Sequence, residues 1–140
     1  MKFFLQVFLL FAFSFSSIFA SDLILSKKIK LKKDQIQRII VKYDGREKEF
    51  FFRWTLYKNN GLVMFRSYDK IVAQNILYLR KISRSFRVEL KPSGLNFYNK
   101  PYLLVMFKDF DYKTRKAKFE LFLSDDTKRR VLEYKKLKEG

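Results

Sequence analysis

The chain has 140 residues, with 31 Lys and Arg against 14 Asp and Glu, a formal net charge of +17, and neither histidine nor cysteine. Without imidazole or thiol it lacks the commonest general base, any thiol nucleophile, and the usual ligands of zinc, haem and iron–sulfur centres. Its length fits one domain, and its charge calls for a polyanionic neighbour or an anionic surface.

In chain order, the first predicted element is a leader. Lys2 precedes an apolar run from Phe3 to Phe13, then Ser14, Ser16 and Ser17, and then Ala20. A basic start, an apolar middle and a small residue at a cleavage point make an export signal over residues 1–20, cut after Ala20. The run is short for a spanning helix, which needs about 20 apolar residues. Lys27, Lys28, Lys30, Lys32 and Lys33 lie just beyond it and oppose translocation, but the order of regions favours export to the periplasm. Residues 21–140 then form a single β domain with 30 of the 31 basic residues. With no disulfide available, its stability must come from packing, and the 17 Phe, 8 Tyr and one Trp are the source.

After the leader, apolar residues recur mainly every second position, the pattern of half-buried antiparallel strands. Ile29 and Leu31 alternate with Lys28, Lys30 and Lys32, giving one apolar face and one lysine row. Ile39, Val41 and Tyr43 form the next inward set, ending at the hairpin signal Asp44-Gly45. The following strand is expected to turn Phe50, Phe52, Trp54 and Leu56 to one face. Asn59-Asn60-Gly61 turns the chain into a strand starting at Leu62. Residues 67–82 read two ways: Tyr68, Ile71, Val72, Ile76 and Leu79 fit a helical stripe, while Ile76 to Leu79 also fit a strand. The strand-rich surroundings favour an irregular stretch followed by a strand. Phe86, Val88 and Leu90 alternate with Arg87, Glu89 and Lys91 until Pro92-Ser93-Gly94, and a loop follows from Leu95 to Pro101. Leu103, Val105 and Phe107 share a face, but Phe110 and Tyr112 have the opposite parity, which predicts a β-bulge near Lys108-Asp109. Lys113-Thr114-Arg115 turns into Ala117, Phe119, Leu121 and Leu123. Asp125-Asp126 turns again into Val131 to Tyr134, and a basic tail ends the chain. About eight strands joined by short turns predict an all-β fold, an antiparallel up-and-down sandwich or small barrel.

Carboxylates are the remaining route to catalysis. Asp109 and Asp111 share a strand face roughly 6.5–7 Å apart, a spacing open to a cation or an acid–base pair. Pairing with Lys108, Lys113 or Lys116 is the simpler expectation, and no metal site or cofactor is expected. Cations beside rings are a stronger feature: Phe51-Arg53-Tyr57 with Lys58, Phe65-Arg66-Tyr68, and Phe97-Tyr98-Lys100-Tyr102. Such surfaces grip lipid headgroups and sugars, or stack the bases of a single nucleic-acid strand.

Phe52-Arg53-Trp54-Thr55-Leu56-Tyr57 with Asn60-Gly61-Leu62-Val63, and Tyr98-Asn99-Lys100-Pro101-Tyr102 with Phe119-Glu120-Leu121-Phe122-Leu123, resemble segments of small exported proteins from Gram-negative bacteria with AT-rich genomes. The resemblance implies a periplasmic location and carries no activity and no functional residue. The expected function is non-catalytic binding of an anionic envelope component, a lipid headgroup or polysaccharide phosphate, or of an envelope protein. The anion contacts would be Lys28, Lys30, Lys32, Arg53, Lys58, Arg66, Arg84 and Arg87. Two alternatives stay open: a β barrel binding single-stranded nucleic acid, and a structural subunit of an envelope assembly that pairs through a strand edge.

Overall fold

The computed structural model describes residues 25–90, 100–125 and 129–138. The leader, the Pro92-Ser93-Gly94 stop, residues 95–99 of the loop, and Asp126 lie outside the described residues. Nine strands follow in order: β1 (Leu25–Lys32), β2 (Gln37–Tyr43), β3 (Arg46–Lys58), β4 (Gly61–Tyr68), β5 (Ile71–Tyr78), β6 (Ser85–Glu89), β7 (Tyr102–Asp111), β8 (Lys116–Ser124) and β9 (Val131–Tyr134). A single 3-10 turn, Ile82–Arg84, joins β5 to β6. No helix among the described residues is long and apolar enough to cross a membrane.

The strands form two antiparallel sheets that face each other as a sandwich. One has the order β1-β8-β7-β6, the other β5-β4-β3-β2-β9. Each contains a meander, β2 to β5 and β6 to β8. The terminal strands cross over, so that β1 joins the second meander and β9 joins the first.

Alternation places the core between the sheets. Ile39 and Val41 of β2, Phe50, Phe52 and Trp54 of β3, and Leu62 and Met64 of β4 are buried. They face Leu31, Phe86, Val88, Leu103, Val105, Phe107, Ala117, Phe119, Leu121 and Leu123 from the other sheet. Phe52 meets Phe119 edge-on at 5.4 Å and Phe86 at 6.5 Å, the geometry that ring quadrupoles favour.

Two β-bulges change which residues reach the core. In β7 the register shifts between Phe107 and Asp109, at the predicted place, so both Phe107 and Phe110 point inward. In β3 it shifts between Trp54 and Leu56. The extra residue, Thr55, reverses the parity. Leu56, expected beside Trp54, is therefore turned out and 48% exposed, while Tyr57 turns in. The two bulges meet at one end of the sandwich, where Tyr57 stacks on Phe110 at 4.1 Å and Trp54 contacts Phe110 edge-on at 5.6 Å.

Residues 67–82 also differ from expectation. β4 runs through Tyr68, Asp69-Lys70 makes a two-residue turn, and β5 pairs with β4 over its full length. Both turn residues have positive φ, 48° and 68°. That is the backbone a two-residue hairpin needs, here without glycine.

Candidate anion-binding face

The outer face of the β1-β8-β7-β6 sheet carries the densest group of cations. Because Ile29 and Leu31 face the core, Lys28, Lys30 and Lys32 of β1 face out, as predicted. Ala117 and Phe119 do the same for β8 and turn Lys116 and Lys118 outward. The β1–β8 register then sets Lys30 directly opposite Lys118, and Lys32 directly opposite Lys116. Opposed residues have Cβ atoms about 4.5–5.5 Å apart, and like charges there are destabilising. Lys108, at the β7 bulge, also points outward. Lys28, Lys30, Lys108, Lys118 and Glu120, with the Ile29 and Phe119 positions between them, line a shallow cleft of about 500 Å³.

Nearby carboxylates flank this ladder without forming ion pairs to its lysines. Glu120 stands opposite Lys28 but is ion-paired with Lys108 at 3.6 Å. Asp109 and Asp111 stand beside Lys118 and Lys116 on the β7 side. The Asp109 carboxylate accepts the Phe110 N–H at 2.8 Å, and the Asp111 carboxylate accepts the N–H groups of Lys113 and Thr114 at 2.9 and 3.2 Å. The Thr114 backbone bond holds the Asp111 carboxyl below the usual carboxylate range, helped by Lys113 and by the Lys118 charge. Both acids therefore shape the bulge and the turn, and neither is ion-paired with a lysine. Among the described residues no group of acids could hold a metal ion. Among the described residues Lys28, Lys30, Lys32, Lys116 and Lys118 form no ion pair, although Glu120 stands opposite Lys28, and Asp109 and Asp111 opposite Lys118 and Lys116.

The other five predicted contacts lie elsewhere. Arg53, on the outer face of β3, sits 5.8 Å from the Phe65 ring, and Lys58 ends β3 at the Asn59-Asn60 turn. Arg66 points inward at the open side between β5 and β6. There its guanidinium lies 4.7 Å over the Phe86 ring and donates to Asn75 Oδ1 at 2.8 Å and to the Arg87 carbonyl at 3.3 Å. Burial lowers its pKa, so Arg66 plugs the sandwich side and is not a surface contact. Arg84 donates to Met106 Sδ at 3.2 Å. Arg87, on β6, stacks over Tyr102 at 3.7 Å, two strands across the sheet from the β8 side of the ladder.

Of the predicted aromatic clusters, the rings among the described residues mostly pack inward, as Tyr57 and Tyr68 do, or against cations, as Phe65 and Tyr102 do. Tyr68 donates to the Leu90 carbonyl at 3.3 Å, and burial raises its pKa. Tyr112 is the one strongly exposed ring among the described residues. Lys108 and Lys116 were expected only as partners of the aspartates, and Lys118 was not singled out. The β8 alternation did mark Lys116 and Lys118 as outward, but only the long-range pairing of β8 with β1 brings them to Lys30 and Lys32. No protein-family model matches this chain, and neither the curated proteins nor the solved structures contain a match, so the reading of this face rests on its own geometry.

Proposed function

We propose that this chain is an exported, non-catalytic periplasmic β-sandwich. It binds a phosphate-bearing anionic component of the envelope, a lipid headgroup or a polysaccharide phosphate, across the lysine ladder of β1 and β8. One observation carries the reading: two successive Lys–Lys pairs stand directly opposed, and although Asp109 and Asp111 flank them from β7, those carboxylates are held by backbone N–H groups and form no ion pair with the lysines. Each such pair costs a fraction of a kcal/mol, up to about 1 kcal/mol, and a bound anion bridging the rungs removes that cost. The inward packing of the rings favours phosphate as the recognised group over nucleic-acid bases, which need exposed rings to stack on.

The test uses two probes, phosphatidylglycerol vesicles and lipopolysaccharide before and after dephosphorylation. The Lys30→Gln, Lys118→Gln variant is expected to bind the phosphate-bearing probe more weakly, by about fivefold for each lysine. Binding by the unaltered protein should weaken steeply with salt. Loss of binding on dephosphorylation would assign the phosphate to the polysaccharide–lipid. Binding that ignores salt, or that the variant retains in full, would refute the reading.

A further inference from the structure

The four edge strands are not alike. β1 carries four lysines, β6 carries Arg87 and Glu89, and β9 carries Glu133, whereas the eight residues of β5 carry no charge at all. Charges on an edge normally guard it against unwanted pairing, so β5 is an unguarded edge in a chain of net charge +17. Its side chains are also apolar and open: Ile71 is 75% exposed, Val72 70% and Ile76 48%. Pairing continues the apolar surface inward along the outer face, from Ile76 to Val63 and on to Leu56. Four residues past β5, Ile82 stands fully exposed on the 3-10 turn.

This apolar rim lies in a field poor in acids. Between Glu49 and Glu89 the chain has eight basic residues and one acid, Asp69, which is held by Lys48 at 3.4 Å. Lys58, Arg80 and Lys81 border the Tyr78 end of β5, next to Ile76 and Ile82, while Asp69 and Lys70 border the Ile71 end. The other half of the same outer face is the opposite case, since Arg38, Lys42 and Lys135 are ion-paired there with Glu49 and Glu133.

We infer that the β5 rim is a docking surface for an anionic lipid bilayer, with Val72, Ile76 and Ile82 entering the headgroup–acyl boundary and Lys58, Arg80 and Lys81 meeting the phosphates. Apolar side chains bordered by cations are the combination that an anionic interface rewards. A second copy would set the same unneutralised cations against each other. A partner strand would satisfy the backbone edge but leave Leu56 and Ile82 uncovered. Because Asp69-Lys70 is a two-residue turn, Tyr68 and Ile71 form its hydrogen-bonded closing pair. Alternation then points the amides of Val72, Gln74 and Ile76 toward the free edge, at headgroup level, where phosphate oxygens can accept from them. This docking does not depend on the lysine ladder, so the two can fail separately.

The experiment uses residues 21–140, which contain all nine strands, and vesicles of equal parts phosphatidylglycerol and phosphatidylethanolamine, with phosphatidylcholine vesicles as control. Everything is done in the Lys30→Gln, Lys118→Gln background to silence the ladder. Val72→Ser with Ile82→Ser, both at exposed positions that leave the core intact, is expected to weaken co-sedimentation about tenfold or more. Arg80→Gln with Lys81→Gln should weaken it at low salt and much less at high salt. With no cysteine in the chain, Ile82→Cys gives a single labelling site. A polarity-sensitive dye there should shift to the blue on anionic vesicles, while the same dye at Lys136→Cys, beyond the opposite edge strand β9, should not. Unchanged binding in the Ser variant, or no blue shift at position 82, would overturn the inference. So would a dimer that the Ser variant breaks while vesicles go unbound, which would assign the rim to a second copy.

Discussion

Trp54 is the residue that joins the two sheets. Its ring is 2% exposed, and its Nε1–H donates to the Leu31 carbonyl at 2.8 Å, while its own carbonyl accepts the Asp34 N–H at 2.8 Å. Leu31 ends β1 in one sheet, and Asp34 lies in the crossover to β2 in the other, so one residue holds the chain on both sides of its passage. Trp54→Phe keeps a ring in place but leaves the Leu31 carbonyl buried without a donor and a void where the indole was. The expected loss is about 2–4 kcal/mol, read as a lower urea midpoint with an unchanged slope. A loss under about 0.5 kcal/mol would mean that water or a shifted backbone replaces the bond. That Trp54 belongs to the core was legible from the alternation Phe50, Phe52, Trp54. Its hydrogen bonds were not, because they depend on where the β1–β2 crossover passes. Asp125 is a similar case: a turn residue by composition, it forms a buried ion pair with Arg130 at 3.2 Å, and Arg130 in turn lies 4.0 Å over the Tyr43 ring.

At the scale of strands, the two bulges show what a pattern can and cannot reveal. The β7 bulge was visible because Lys108 and Asp109 interrupt the apolar run, so the parity change from Phe107 to Phe110 has a place to occur. The β3 bulge was not, because Leu56 and Tyr57 are both apolar and either parity gives an acceptable strand. The β4–β5 hairpin was obscured for a related reason: Asp69-Lys70 lacks glycine, and Tyr68, Ile71, Val72, Ile76 and Leu79 also fit a helical stripe. The β1–β8 ladder supplies a prediction at this scale. Replacing Lys30, on the edge strand, with Glu sets an acid opposite Lys118 in place of a like charge. It should raise stability at low salt by about 0.5–1 kcal/mol while weakening anion binding. Thermal unfolding and vesicle binding of Lys30→Glu should therefore move in opposite directions. If stability stays level at low salt, the opposed lysines splay far enough apart not to interact, and the argument for a bridging anion loses its basis.

The whole molecule is closed along both open sides by cations over rings: Arg66 over Phe86 between β5 and β6, and Lys27 over Tyr134, at 4.1 Å, between β1 and β9. Nothing local announces this closure, nor the pairing of Lys30 with Lys118 across most of the chain's length, since both depend on strands meeting that are far apart in sequence. The same global balance governs the response to acid. Fourteen acids oppose 31 bases, so each carboxylate neutralised at low pH adds to the self-repulsion. Glu133 pairs with Lys135 just past β9 and joins β9 to β2 through Lys42, at 2.7 Å each, and these partners pull its carboxyl down to about 2 from 4.5. A carboxylate with a lowered folded pKa adds stability that is complete above the unfolded value. That stability is lost as pH falls from about 4.5 through about 2. The melting temperature should therefore hold level down to about pH 5, fall across that window, and fall less when salt screens the cations. Glu133 is solvent-exposed, so Glu133→Gln should lower the melting temperature only slightly at pH 7, and below pH 2 it should match the parent. The gap between the two curves must close within the window from 4.5 to 2. A gap that persists below pH 2 would mean that β9 is held by its packing on β2 and not by this carboxylate.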